Sequence, residues 1–237
     1  MYNPTPGKGL PLRRYVTARQ MALEIIRERI ISGHLKPGAR LDVETLSQEI
    51  GISHIPIREA LGALEAEGLV MISPHRSIRV ADLTPEMLQE IYAIRLRLEP
   101  FAAGIGALRI TEPELQEMER LLKRMRSLTE ELENAEEDQE ILELSRVNRT
   151  YHFVLYKASG LLRLCRILSV LWDDSQRYIM TYIQQRSWRS RALYEHEAIY
   201  NAVLQRDIAE VERLITVNLE STRDALLQMI KNNTDKK

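Results

Sequence analysis

Apolar residues recur at helical spacing along most of the chain, and the places where that spacing stops divide it into elements. Ala22, Ile25, Ile26 and Ile30 lie three to four apart and line one face of a helix that opens at Thr17 and ends at Gly33. Leu35-Lys36-Pro37-Gly38 is a turn by composition. A short helix over 42–50 follows, with Val43, Leu46 and Ile50 inward and Gly51 as its stop. Ser53 is placed to cap a third helix. Pro56 falls in its first turn, where no internal N–H bond is required, and Ile57, Leu61 and Leu64 form its buried stripe. Gly68 closes it. Residues 69–72 and 78–81 are short apolar runs flanking Ser73-Pro74-His75-Arg76-Ser77, the pattern of a hairpin.

The pattern restarts at Thr84-Pro85-Glu86, a cap residue, a proline at the first helical position and an acid at the positive end of the dipole. From there the helical period predicts helices over roughly 84–108, 112–133, 138–159, 162–184, 189–206 and 208–231. Thr111 and Glu114 have the spacing of a capping box. The acidic run between Glu130 and Glu143 holds no Gly or Pro and reads as an exposed helical face and turn. The fold class expected is mainly α: a winged helix-turn-helix over 17–81, then an all-α antiparallel helical bundle over 84–231. Residues 1–16 have three prolines, two glycines and no hydrophobic period, and read as a flexible arm.

Composition narrows this further. With 237 residues, 44% hydrophobic, 28% charged and 5% aromatic, the chain fits a globular helical protein and disfavours a β-sandwich. A lone cysteine, Cys165, excludes an internal disulfide and a Cys-rich zinc module. No apolar run approaches the ~20 residues of a membrane span, so no membrane partner is expected, and the expected location is cytoplasmic. The net charge of −1 is unevenly spread. Residues 1–80 carry 11 Lys/Arg against 8 Asp/Glu, and the remainder 22 against 26. A mildly basic head on an acidic body is compatible with DNA binding by the head.

Two tightly joined helices allow the second to enter a major groove ~12 Å wide. With Ile57, Leu61 and Leu64 inward, Ser53, His54, Ile55 and Arg58 remain outside. The Arg58 fork matches guanine O6/N7, Ser53 and His54 can bond phosphate or base, and Arg76 and Arg79 on the hairpin suit a wing on the backbone. The alternative for Arg58 is an ion pair with a neighbouring acid. Gly33 to Gly38, Arg40-Leu41, Leu46 to Ser53, Pro56-Ile-Arg58-Glu59-Ala60-Leu61 and Leu64 to Val70 together resemble the GntR family of bacterial regulators. That resemblance implies operator binding, with Arg58 as the recognition-helix arginine. His54 stands where that family commonly has arginine, and Ser77 where its wing has glycine.

In the bundle, polar residues at helical spacing are few: Arg95, Arg97, Glu99, Asn148, His152, His196 and Asn218. Asn148 and His152 share one helix face. Two imidazoles meeting in a bundle core suit Zn, Ni or Fe; the other reading is that each is a satisfied core or surface histidine. Glu99 stands one turn on from Arg95, at the spacing of an internal ion pair. No Ser-His-Asp set, Gly-rich phosphate loop or HExxH accompanies them, so an enzyme is not expected.

The bundle resembles the effector-binding FCD domain of the FadR subfamily, through Glu90 to Glu99, Asn148 to His152 with Ser159-Gly160, and His196 with Ala198-Ile199 and Asp207. Many members hold a metal through an aspartate, a histidine four residues on, a third histidine, and a fourth 22 residues later. Here those positions are Asn148, His152, His196 and Asn218. The resemblance implies one divalent metal on these four, or the same four lining a pocket for an organic ligand, and an effector carboxylate meeting Arg95. It implies a homodimeric repressor on double-stranded DNA whose operator affinity a small metabolite, a carboxylate, controls. The alternatives are a dimeric DNA binder that senses nothing, and a metal-dependent enzyme in the bundle.

Overall fold

The computed structural model describes residues 17–73, 77–134, 138–182 and 186–234. The expected arm, 1–16, and the wing tip with Arg76 lie outside them. The chain divides into two compact units, residues 29–38 grouping with the bundle rather than with the head.

The head contains α1 (Ala18–Ile31, shared with the second unit), β1 (Arg40–Leu41), α2 (Val43–Ile50), α3 (His54–Ala66), β2 (Val70–Ile72) and β3 (Ile78–Val80). Asp42 opens α2 by accepting the Thr45 N–H at 2.9 Å. Gly51 ends it in the left-handed region at φ 73°, where a side chain would be strained. Ala22, Ile26, Leu46, Ile57, Leu61 and Leu64 are buried. The hairpin forms as expected, and β1 adds a third strand, giving the order β1-β3-β2, all antiparallel. A two-residue strand is too short to show alternation, so the sequence carried no sign of it.

The second unit holds α4 (Pro85–Arg109), α5 (Glu112–Asn134), α6 (Asp138–Ala158), α7 (Leu162–Tyr182), α8 (Arg186–Leu204) and α9 (Ile208–Thr234). Thr84 caps α4 through the Met87 N–H. At α5 only half of the capping box forms: Glu114 accepts from the Thr111 N–H at 2.9 Å and from its hydroxyl at 2.7 Å. Helix α4 packs against α9, α6 and α7, while α5 lies against α6 and α8. Four tyrosines, Tyr92, Tyr151, Tyr156 and Tyr178, are fully buried, their rings filling the core. Among the described residues no helix is long and apolar enough to cross a membrane.

Candidate functional site

In the head, the exposed side of α3 gathers the residues expected to read DNA. Ser53 holds the extended N-cap conformation, yet its side chain makes no capping bond, contrary to the sequence expectation. The cause lies three residues on. A cap side chain reaches the second or third helical N–H, and the third helical residue here is Pro56, which has none. His54 Nε2 meets Glu44 Oε2 of α2 at 2.9 Å, both side chains at least half exposed. Ile55 is 72% exposed at the helix start, an apolar side chain with no core to fill. Arg58 is exposed and forms no ion pair among the described residues, so the alternative of a local acid partner is not realised there. On the sheet, Arg79 of β3 stands directly opposite Arg40 of β1, and both are exposed. Like charges directly opposite one another repel, and Asp42 lies near enough to Arg40 to feel its charge. Arg40 escaped the sequence reading because only strand pairing brings it beside Arg79.

In the second unit a continuous buried polar chain crosses four helices. Arg95 of α4 donates Nε to Glu99 Oε1 at 2.5 Å and NH1 to Ser175 Oγ of α7 at 2.7 Å. Its guanidinium lies over the Trp172 and Tyr92 rings, 4.4 and 4.9 Å from their centroids. Of the two partners open to Arg95 in the sequence, the structure pairs it with Glu99. Burial works to lower the Arg95 pKa, but the Glu99 charge overcomes it and holds the pKa above its ordinary value. Tyr156 of α6 donates to the other Glu99 oxygen at 2.7 Å, and its hydroxyl oxygen stands 3.3 Å from His152 Nδ1.

From His152 the chain reaches His196 of α8, Nε2 to Nε2 at 3.0 Å, and His196 Nε2 is 2.6 Å from Asn148 Oδ1. Both imidazoles are driven below their ordinary pKa by burial first; the His196 and Arg95 charges add to the effect on His152. Neutral rings carry one proton each. His196 Nδ1 faces the Ala192 carbonyl, which only accepts, so its proton is there and Nε2 is a bare lone pair. The Tyr156 proton is committed to Glu99, so the Tyr156 oxygen is free to accept from His152 Nδ1. That tautomer bares His152 Nε2 as well, and three lone pairs, two imidazole and one amide, then converge without a proton between them. The other tautomer puts a proton on His152 Nε2 and makes an ordinary hydrogen bond to His196. The converging set fits a divalent ion that favours imidazole, with no carboxylate in direct reach. Among the described residues no group of three or more His, Cys, Asp or Glu gathers. Asn218 is not part of the set; it donates to Glu195 Oε2 at 2.8 Å. Beside Asn148 and His196 lies a cavity of about 30 Å³.

A winged helix-turn-helix head and a helical bundle with a buried polar centre define a DNA-binding protein with a separate regulatory domain. Two family models match accordingly: the gntR family of bacterial regulatory proteins over residues 18–80 and the FCD domain over 90–221. The chain belongs to the GntR family of transcriptional regulators, in its FCD-containing branch. It is 29% identical to the HTH-type transcriptional regulator McbR of Escherichia coli K12, over 70% of this chain and 72% of that protein. To the HTH-type transcriptional regulator LutR of Bacillus subtilis it is 28% identical, over 83% and 95%. The solved structure of E. coli McbR/YncC superposes with a TM-score of 0.78 at 22% identity, covering 90% of this chain and 99% of that one, which shows a shared fold.

Proposed function

We propose that this transcriptional regulator is a homodimeric repressor whose grip on its operator is released by a small carboxylate bound in the bundle. The single observation that carries the sensing half is that His152 Nε2 and Asn148 Oδ1 both lie within 3.0 Å of His196 Nε2, beside a cavity. These three residues would hold one divalent ion, Zn, Ni or Fe, while the Asn218 amide N–H is directed to Glu195. Bound there, the ion supplies the positive charge that a carboxylate requires and that the neutral donors lack. The protein's own part is to keep the donors ready. Ala192 fixes the His196 tautomer, and Tyr156, anchored on Glu99, offers His152 Nδ1 the acceptor that favours a bare Nε2. Arg95 holds Glu99 in place through Nε and NH2.

The head reads DNA in this account through Arg58 on guanine O6/N7. Ser53, His54 and Ile55 act at the helix start, Ile55 suiting a thymine methyl, and Arg79 with Arg40 and Arg76 act on the backbone. Self-association is supported by α4, where Met87, Ile94, Phe101 and Leu108, seven residues apart, expose one straight apolar stripe. A two-fold dimer presents two recognition helices to half-sites ~34 Å apart, and an effector acts by favouring the dimer geometry that fits them less well.

The test uses an operator selected in vitro from random duplexes. Arg58→Ala is expected to weaken that complex by about 10- to 100-fold, from ~1–3 kcal/mol of lost base contact, with an unchanged melting temperature because Arg58 is exposed. Operator binding equal to wild type would overturn the assignment of α3. In parallel, elemental analysis should find one ion per chain, lost in His152→Ala/His196→Ala; an ion retained by that double variant would remove the metal from the account.

A further inference from the structure

We infer that the effector has one polar head and an apolar tail: a monocarboxylate on a short aliphatic or aromatic chain, not a di- or tricarboxylate or a sugar acid. This rests on the reading of the bundle as the effector domain and adds the chemical class of the ligand.

The cavity beside His196 is walled by Met125 of α5, Ile141 and Leu144 of α6, Ile179 of α7, and Ala192 and Leu193 of α8. Four of its wall residues are polar: Asn148 and His196, which meet at 2.6 Å, Ser145 three residues before Asn148 on the same face of α6, and Thr129 of α5. Thr129 has given its proton to the Met125 carbonyl at 2.8 Å, and Ser145 Oγ accepts from Gln176 Nε2, so a single neutral hydroxyl, that of Ser145, remains as a donor. Among the described residues no lysine or arginine lines the cavity, and the Arg95 fork is engaged by Glu99 and Ser175. A ligand whose head meets Asn148 and His196 therefore lays its other end against methyl and methylene groups. A second carboxylate there would be stripped of water with at most that one neutral hydroxyl to receive it, whereas each methylene gains by leaving water.

The size of the cavity adds a second constraint. About 30 Å³ holds about two waters, so even a short tail must part the walls. Ile141, Leu144 and Leu193 are only partly buried, and Met125 is unbranched and adaptable, so the wall is incompletely packed where a tail would enter. A tail that wedges α5 and α6 from α7 and α8 couples occupancy to helix positions, as a head group alone would not.

The test titrates the full chain, in the presence of Zn²⁺, with propanoate, pentanoate, heptanoate and phenylacetate, and separately with pentanedioate and gluconate. Calorimetry gives affinity, and methyl NMR of Ile141, Leu144, Ile179 and Leu193 locates the ligand. Affinity is expected to rise about fourfold per added methylene from propanoate to heptanoate. Pentanedioate should bind at least tenfold more weakly than pentanoate, and the methyl signals of these four residues should move together. Pentanedioate or gluconate binding as tightly as pentanoate, with those methyls moving, would overturn the inferred class and leave the cavity as the effector site. Monocarboxylates binding without moving them would overturn the inferred seat. If no probe of either kind moved them, the reading of this cavity as the effector site would itself fall.

Discussion

Tyr156 makes a tyrosine hydroxyl do two jobs with one proton, and that decides how far residue-level chemistry can be read from spacing. The interval from Asn148 to His152 placed both on one helix face, and the bundle does bring Asn148, His152 and His196 together. Spacing could not reveal that Glu99 takes the Tyr156 proton, or that Asn218 turns to Glu195, because those partners come from helices 57 and 23 residues away in sequence. Burial of the two imidazoles also has a consequence for stability. Both have folded-state pKa values below the 6.5 of an unfolded histidine, so between the folded value and 6.5 the unfolded chain binds more protons. Their contribution is complete above pH 6.5 and is lost as pH falls through the window beneath it, at up to about 1.4 kcal/mol per pH unit for each histidine. Chemical denaturation of metal-free protein at pH 7.5, 6.5 and 5.5 should show this decline, and His152→Gln should flatten part of it. A stability independent of pH across that range would contradict the burial.

At the scale of elements, hydrophobic periodicity located the helices and the hairpin, since each buries a face its own sequence marks. Contacts between elements were another matter. Helix α4 meets α6 so closely that a Cβ at Gly106 would lie 2.0 Å from the Leu155 carbonyl oxygen, and nothing around Gly106 in the sequence says so. Gly106→Ala therefore requires the two backbones to separate, and should cost about 3 kcal/mol or more in a thermal or urea melt. Gly104→Ala meets only the carboxyl end of the flexible Glu212 side chain, at 2.4 Å, and should cost far less. Equal losses in the two variants would mean that the α4–α6 approach is looser than this geometry. The strand β1 belongs to the same lesson: two residues carry no period, and only pairing with β3 makes Arg40 a neighbour of Arg79.

For the whole molecule, the apolar stripe of α4 supplies the sharpest prediction. Phe101 is 53% exposed in the single chain, so Phe101→Glu places a charge at no cost to the core of one protomer. The variant is expected to sediment as a folded monomer with wild-type helicity, and to lose affinity for a two-half-site operator far more than for a single half-site. A variant that stayed dimeric would move the self-association surface elsewhere. By itself the sequence determined a head-and-bundle division, the positions of the helices, and the exposed face of α3 with Arg58 on it. Those follow from local period, caps and turns, which neighbouring residues write jointly. Only the tertiary structure decided that Glu99 occupies the Arg95 fork, that Asn148 meets the histidines while Asn218 bonds Glu195, and that the cavity beside them is walled mostly by apolar side chains. Each of those depends on which helices pack together and at what rotation, and a hydrogen bond across a bundle leaves no periodic mark on the chains that form it.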